Sequence, residues 1–198
     1  PTGSYLSKIE IRELMSKIPK NVIVVIDGAY AEYVEKDDYD SNFSLVKEYD
    51  NIIITRTFSK VYGLAAIRLG WCYSSVKVAS ILNRVKGPFN TNTLSQHLAS
   101  FALQDQDHIA MTVNENRINK EWFEKELKRL GIKTIQSYAN FSFIESTNEM
   151  AILITHSLEK EGVLIRQLQS YNLSHCLRIS IGTFDDMRKI IKIIEGLL

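Results

Sequence analysis

Apolar positions early in the chain recur at helical spacing. Ile11, Leu14, Met15 and Ile18 follow Ser7-Lys8-Ile9-Glu10, which has the form of a capping box, and predict a helix from about Ser7 to Ile18. The pattern then changes. Val22 to Ile26 and Ile52 to Ile54 are short, continuous, β-branched runs of the kind buried on both faces of a parallel sheet, with a polar and helical segment between them. That is strand–helix–strand grammar. A third strand is predicted from Leu69 to Tyr73, and helices from about Ser75 to Val85, Thr93 to Leu103 and Asp107 to Leu130, the last long enough to join two domains. Beyond Gly131, short strands at Ile132 to Gln136, Phe141 to Glu145, Val163 to Ile165 and Leu177 to Ile181 alternate with helices near Asn148 to Glu161 and Phe184 to Leu198. Residues 1–112 therefore read as part of an α/β domain and 113–198 as a smaller α+β domain. No internal repeat or low-complexity linker interrupts them. The chain opens on turn chemistry, Pro1-Thr2-Gly3, and carries few strands for a large sheet, so an N-terminal part of the protein is expected to be absent from it.

Composition narrows the partner more than the fold. Lys and Arg number 24 against 23 Asp and Glu, a net charge of +1, and no basic run recurs with aromatic interleaving, so a small molecule is expected rather than a nucleic acid. No stretch approaches the ~20 consecutive apolar residues that a membrane span requires. The N-terminus shows no targeting signal, so a cytoplasmic address is expected. Cys72 and Cys176 lack any CxxC spacing and sit in apolar stretches, which fits reduced core thiols. The four histidines are scattered, and His97 and His175 carry no metal-ligand spacing, so no metal site is expected.

Two polar clusters follow predicted strands, where open α/β sheets place their ligand sites. Asp27-Gly28-Ala29-Tyr30 comes directly after Val22 to Ile26. Thr57-Phe58-Ser59-Lys60 follows Ile52 to Ile54, with Gly63 and then Arg68 behind it. An acid at a strand end is commonly a helix cap, and a single lysine commonly a solvated surface residue. Together, however, they form a coherent set. Pyridoxal phosphate (PLP) needs an acid against its ring nitrogen, a donor for its phenolic oxygen, hydroxyls and a guanidinium for its phosphate, and a lysine to hold its aldehyde. Asp27, Tyr30, Ser59, Arg68 and Lys60 supply those groups.

Asp-x-x-Tyr after one strand, then Ser-Lys with Gly-Leu-Ala and Arg after the next, resembles the fold-type I PLP aminotransferases. Within them the chain resembles the histidinol-phosphate aminotransferase family. Pro1-Thr2-Gly3 is similar to that family's Asn-Pro-Thr-Gly turn. The run from Thr57 to Ala65, ending in Arg68-Leu69-Gly70, is similar to its lysine motif, and Gly87-Pro88-Phe89-Asn90-Thr91-Asn92 to its Pro-Tyr-Asn-x-Asn stretch, with Phe89 in place of tyrosine. Ala139 to Phe143 and Leu177 to Thr183 match two further signatures, so the resemblance runs from Pro1 to Leu198. It implies an α/β fold: the C-terminal part of a PLP-binding large domain, mainly parallel sheet with flanking helices, plus a small α+β domain.

The resemblance also implies roles. Lys60 is the cofactor's anchor and the general base; Asp27 holds the ring nitrogen protonated; Tyr30 bonds the phenolic oxygen; Ser59 and Arg68, with Thr57, hold the phosphate. Taken singly, Arg166 reads as a rim residue and Arg178 as an ordinary strand residue, yet an apolar strand flanking a central arginine usually needs an anionic partner for it. In this family Arg178 would grip the phosphate of L-histidinol phosphate in one half-reaction and a carboxylate of glutamate or 2-oxoglutarate in the other, a dual task that a planar fork suits. Arg166 would be a second phosphate contact. The implied activity is transamination between these substrates in histidine biosynthesis, by a homodimer, with the present fragment expected to be inactive alone. The alternatives are an aromatic or other amino-acid aminotransferase, a threonine-phosphate decarboxylase, or a non-catalytic PLP-binding effector domain of a transcription regulator. Trp71, Trp122, Tyr5, Tyr33, Tyr49 and Tyr138 read as packing residues, and Glu35 to Asp38 as a solvated loop.

Overall fold

A computed structural model describes residues 2–39, 41 and 43–198. The predicted Pro1 turn lies in part outside them. The chain divides into two compact units, Tyr5–Thr112 and a second made of Pro1–Ser4 with Val113–Leu198.

The Tyr5–Thr112 unit begins with α1 (Lys8–Lys17), capped as its sequence requires: Ser7 Oγ accepts from the Glu10 amide, and the Glu10 carboxylate accepts from the Ser7 amide. Strands β1 (Val24–Asp27), β2 (Ile52–Thr57) and β3 (Gly70–Ser74) form one sheet in the order β1-β2-β3. The β1–β2 pair is parallel, with Asp27 opposite Thr55. The β2–β3 pair is antiparallel, so the sheet is mixed in this part of the fold. Between β1 and β2, where a polar and helical segment was expected, the described residues make a 3-10 turn at Ala31–Tyr33 and the one-turn helix α2 (Leu45–Glu48). Ile52 and Ile54 pack with Ile11, Met15, Leu45 and Val46 into a core on one face of the sheet. The other face is not covered in the same way: Val25 is 58% exposed, and Cys72, opposite Thr55, is exposed too. Burial on both faces therefore fails for β1, and Cys72 is a surface thiol rather than a core one. Helices α3 (Val76–Val85) and α4 (Thr93–Gln104) follow.

Helix α5 (Gln106–Arg129) carries the chain into the second unit. There β4 (Lys133–Ile135), β5 (Phe141–Glu145), β6 (Arg166–Leu168) and β7 (Leu173–Ser180) form an antiparallel sheet in the order β4-β5-β7-β6. Helices α6 (Asn148–Lys160) and α7 (Phe184–Glu195) pack on it through Ile154, Leu158, Ile190 and Ile194, which meet Phe123 and Leu127 of α5 in one apolar cluster. No helix of the described residues is long and apolar enough to cross a membrane.

Candidate active site

In the parallel pair, facing residues point to the same side of the sheet. Val25, Asp27, Ile53 and Thr55 share one face, and Ile52, Ile54 and Arg56 the other. Asp27 ends β1 at its carboxyl edge, exposed, with Oδ1 accepting from the Ala29 amide at 3.0 Å. Among the described residues it forms no ion pair. Gly28 N–H continues the ladder past the strand by donating to Thr55 O at 3.0 Å, and the chain then turns through Tyr30, whose carbonyl accepts from Tyr33 N–H.

Lys60 occupies a loop closed at both ends. Phe58 N–H donates to Leu69 O at 3.2 Å, and Leu64 N–H donates to Phe58 O at 3.0 Å. Phe58 and Val61 are buried on either side of the lysine and anchor the loop. Gly63 N–H donates to Lys60 O at 2.9 Å, and Gly63 sits at φ +68°, a left-handed conformation that glycine adopts without a Cβ penalty. Lys60 Nζ lies 5.3 Å from the centre of the Tyr30 ring, and no carboxylate among the described residues pairs with it. Thr57 Oγ1 accepts from the Ser59 amide at 3.0 Å. Arg68 is held in the left-handed region at φ 54°, an uncommon place for a side-chain-bearing residue, and its Nη1 donates to Ala65 O at 2.8 Å.

One unit thus gathers Asp27, Tyr30, Thr57, Ser59, Lys60 and Arg68 on β1, β2 and the loops leaving them. The donor set fits PLP on an observation within it: an acid without a cation and an amine without an anion stand at one sheet edge, with Tyr30 between them in chain order and in contact with the amine. Beside this set, burial pushes the Glu32 carboxyl above its usual range, while its own backbone hydrogen bond and the Arg56 guanidinium oppose the rise. Burial likewise drives the Tyr33 phenol up to about 12, with the Glu32 charge adding to it.

The second unit holds the two arginines. Arg166 of β6 and Arg178 of β7 are in-register cross-strand partners. The Arg178 guanidinium lies 4.7 Å from the centre of the Phe141 ring, and its Nε is buried without a hydrogen-bond partner among the described residues. Arg166 is exposed and lines a groove of ≈ 410 Å³ with Glu159, Gln167, Gln169 and Ser170. Two facing cations and an orphaned buried N–H have the donor chemistry that an anion would require. Among the described residues no three His, Cys, Asp or Glu side chains could hold a metal ion.

Sequence reasoning passed over Arg56, a buried cation beside Gly28, and the α5 residues Lys120 and Glu124. Lys120 Nζ donates to Ser137 O, and Glu124 Oε1 accepts from the buried Ser142 hydroxyl at 2.9 Å. The signal for the latter pair was their i,i+4 spacing on a face shared with Phe123 and Leu127. Arg56 had a weaker one, a lone charge set between Ile54 and Phe58.

The fold is of the PLP-transferase type, and the family comparison agrees. The chain belongs to the aminotransferase class I and II family, whose model matches residues 1–194. It is 41% identical over 202 residues to histidinol-phosphate aminotransferase 1 of Psychrobacter arcticus, covering all of this chain and 52% of that protein. It is 37% identical over 201 residues to histidinol-phosphate aminotransferase of Rhodopseudomonas palustris, covering all of this chain and 55% of that one. The chain therefore spans about half the length of the curated relatives it matches. In fold it is similar to the histidinol-phosphate aminotransferase of Sinorhizobium meliloti crystallised with pyridoxal-5'-phosphate, with a TM-score of 0.89 at 24% identity over all of this chain and 55% of that one.

Proposed function

We propose that the protein to which this chain belongs is a cytoplasmic, homodimeric, PLP-dependent histidinol-phosphate aminotransferase. It exchanges the amino group of L-histidinol phosphate with 2-oxoglutarate, giving imidazole-acetol phosphate and glutamate. The observation that carries the substrate reading is the facing pair Arg166 and Arg178, with the unpartnered Nε of Arg178. A planar fork with a free donor accepts a phosphate or a carboxylate equally well, as the two half-reactions demand. The names of the relatives at 41% and 37% identity support the same choice.

PLP, when bound, supplies an electron sink for the carbanion left at the substrate carbon. Lys60 would hold its aldehyde and, once released, move the proton between the substrate carbon and the cofactor. Asp27 would keep the ring nitrogen protonated, and Tyr30 would donate to the phenolic oxygen. Ser59, Thr57 and Arg68 would hold the phosphate; the left-handed Arg68 is the kind of strained residue that functional sites retain.

The test is the visible spectrum of the whole protein with PLP as histidinol phosphate is added without any keto acid. Loss of the lysine-bound cofactor band with histidinol phosphate, and not with aromatic amino acids, supports the reading. Bleaching by aromatic amino acids instead moves the substrate to that class. A band that no amine changes removes transamination and favours a PLP-binding effector.

A further inference from the structure

Arg56 is, among the described residues, the one charged side chain that is buried, at 5% exposure. It has no carboxylate partner there. Nη1 donates to Thr55 O at 3.2 Å, Nη2 donates to Ser41 O at 2.7 Å, and the guanidinium lies 4.9 Å from the centre of the Phe43 ring. A buried guanidinium satisfied only by two carbonyls is an expensive way to fill a core, and an apolar side chain of the same length would avoid the desolvation. What the guanidinium does there follows from its position. A Cβ added to Gly28 would lie 1.5 Å from Arg56 Nη1 and 2.6 Å from its Cζ, so the fork occupies the volume that a side chain at residue 28 would need. The carbonyl of Thr55 accepts from Gly28 N–H and from Arg56 Nη1 together. The turn that aims Asp27 and Tyr30 thus rests on the guanidinium. The same residue sits four positions before Lys60, and its charge is felt by Glu32 in that turn and by Tyr62 beyond the lysine.

We propose that Arg56 is a positioning residue of the aminotransferase site, bracing the Asp27–Tyr30 turn against the strand that leads to Lys60. This rests on the reading of those three residues as cofactor ligands. The glycine at 28 is the other half of the device: the turn has no side chain there because Arg56 takes its place. Lysine could keep the charge at 56 but has no fork to bond Thr55 O and Ser41 O at once.

The experiment compares the whole protein with Arg56→Met, Arg56→Lys, Gly28→Ala and the double variant Gly28→Ala/Arg56→Met. PLP affinity is read by visible absorbance, the bound cofactor's band is titrated with pH, and kcat and KM are separated for 2-oxoglutarate. Arg56→Met and Arg56→Lys should weaken PLP binding about tenfold, move the pH midpoint of the band by roughly half a unit, and lower kcat about tenfold to a hundredfold with little change in KM. Gly28→Ala should behave alike, because its methyl displaces the fork. In the Arg56→Met background the alanine should do less harm than in the wild type, with a remainder from Thr55 O, 2.9 Å from that Cβ. Folded Arg56→Met and Gly28→Ala proteins whose midpoint, PLP affinity and kcat all stay within twofold of wild type would overturn the proposal. So would strictly additive effects. If the wild type gains no visible band that Lys60→Ala abolishes, the cofactor reading itself falls, and this one with it.

Discussion

Arg166 and Arg178 stand directly opposite each other on β6 and β7, two cations at one cross-strand position with no carboxylate among the described residues to separate them. Like charges so placed oppose pairing, and a bound anion would relieve that repulsion. Opposite signs are therefore expected for stability and function. Arg166→Ala should leave the fold unchanged or steadier by roughly 0.2–1 kcal/mol, read by urea unfolding. The same change should raise KM for histidinol phosphate while sparing 2-oxoglutarate. Arg178→Ala should raise KM for both, by roughly 10-fold to 100-fold, the worth of a charged hydrogen bond. A KM that moves for neither substrate would remove the arginines from the site.

The cofactor residues should separate by role. Lys60→Ala should abolish the lysine-bound PLP band. Asp27→Asn should retain PLP within a few-fold yet lose most of kcat, since it touches the ring's electronics rather than the phosphate. Arg68→Ala should weaken PLP retention by about tenfold to a hundredfold, measured by dialysis and absorbance. Unchanged PLP affinity in that variant would refute the phosphate assignment.

The elements that carry these residues were legible because the signals behind them are local. A capping box, two β-branched runs and the polar clusters after them are read within a few residues, and α1, β1, β2 and the Lys60 loop fall where they were expected. What depends on distant pairing was not. The strand expected at Val163 to Ile165 forms instead at Arg166–Leu168, because hydrogen bonding to β7 sets the register while Leu164 is 82% exposed. Strand β7 starts at Leu173, earlier than its apolar run suggested, for the same reason. The antiparallel sense of β3 is a property of topology. Arg56 was passed over because nothing local says that Phe43 and Ser41 fold back over it.

Burial raises the Glu124 carboxyl above its ordinary range, opposed by the Ser142 hydroxyl and the Lys120 charge. A folded-state value above the unfolded one means that the native state holds its proton more tightly. That contribution is fully present below the unfolded carboxyl range and is lost as pH rises through the folded value. Glu124→Gln keeps an acceptor for Ser142 and removes the buried charge, so it should be at least as stable as wild type at pH 7. The variant's stability should also fall less between about pH 4 and pH 7, followed by thermal unfolding. A large loss of stability at pH 7 in Glu124→Gln would show instead that the carboxylate's attraction to Lys120 outweighs its desolvation.

The turn that leaves the Arg178 strand ends in a reciprocal cap. Thr183 Oγ1 accepts from the Asp186 amide at 3.2 Å, and Asp186 Oδ2 accepts from the Thr183 amide at 3.0 Å and its hydroxyl at 2.6 Å. Those hydrogen bonds hold the Asp186 carboxyl below its usual value, so its contribution is present above the unfolded range and is lost as pH falls through the folded one. Thr183→Ala removes both hydroxyl bonds and should cost about 1 kcal/mol, or roughly 2–4 °C in Tm for a chain of this size. The position tests whether the cap also serves Arg178, since Asn119 Nδ2 donates to the neighbouring Gly182 O at 3.0 Å and ties the same turn to α5. If the cap only stabilises α7, KM for histidinol phosphate at low temperature stays at the wild-type value while Tm drops. If KM rises with the loss of Tm, the turn is part of what aims the arginine, and Asn119→Ala should raise it as well.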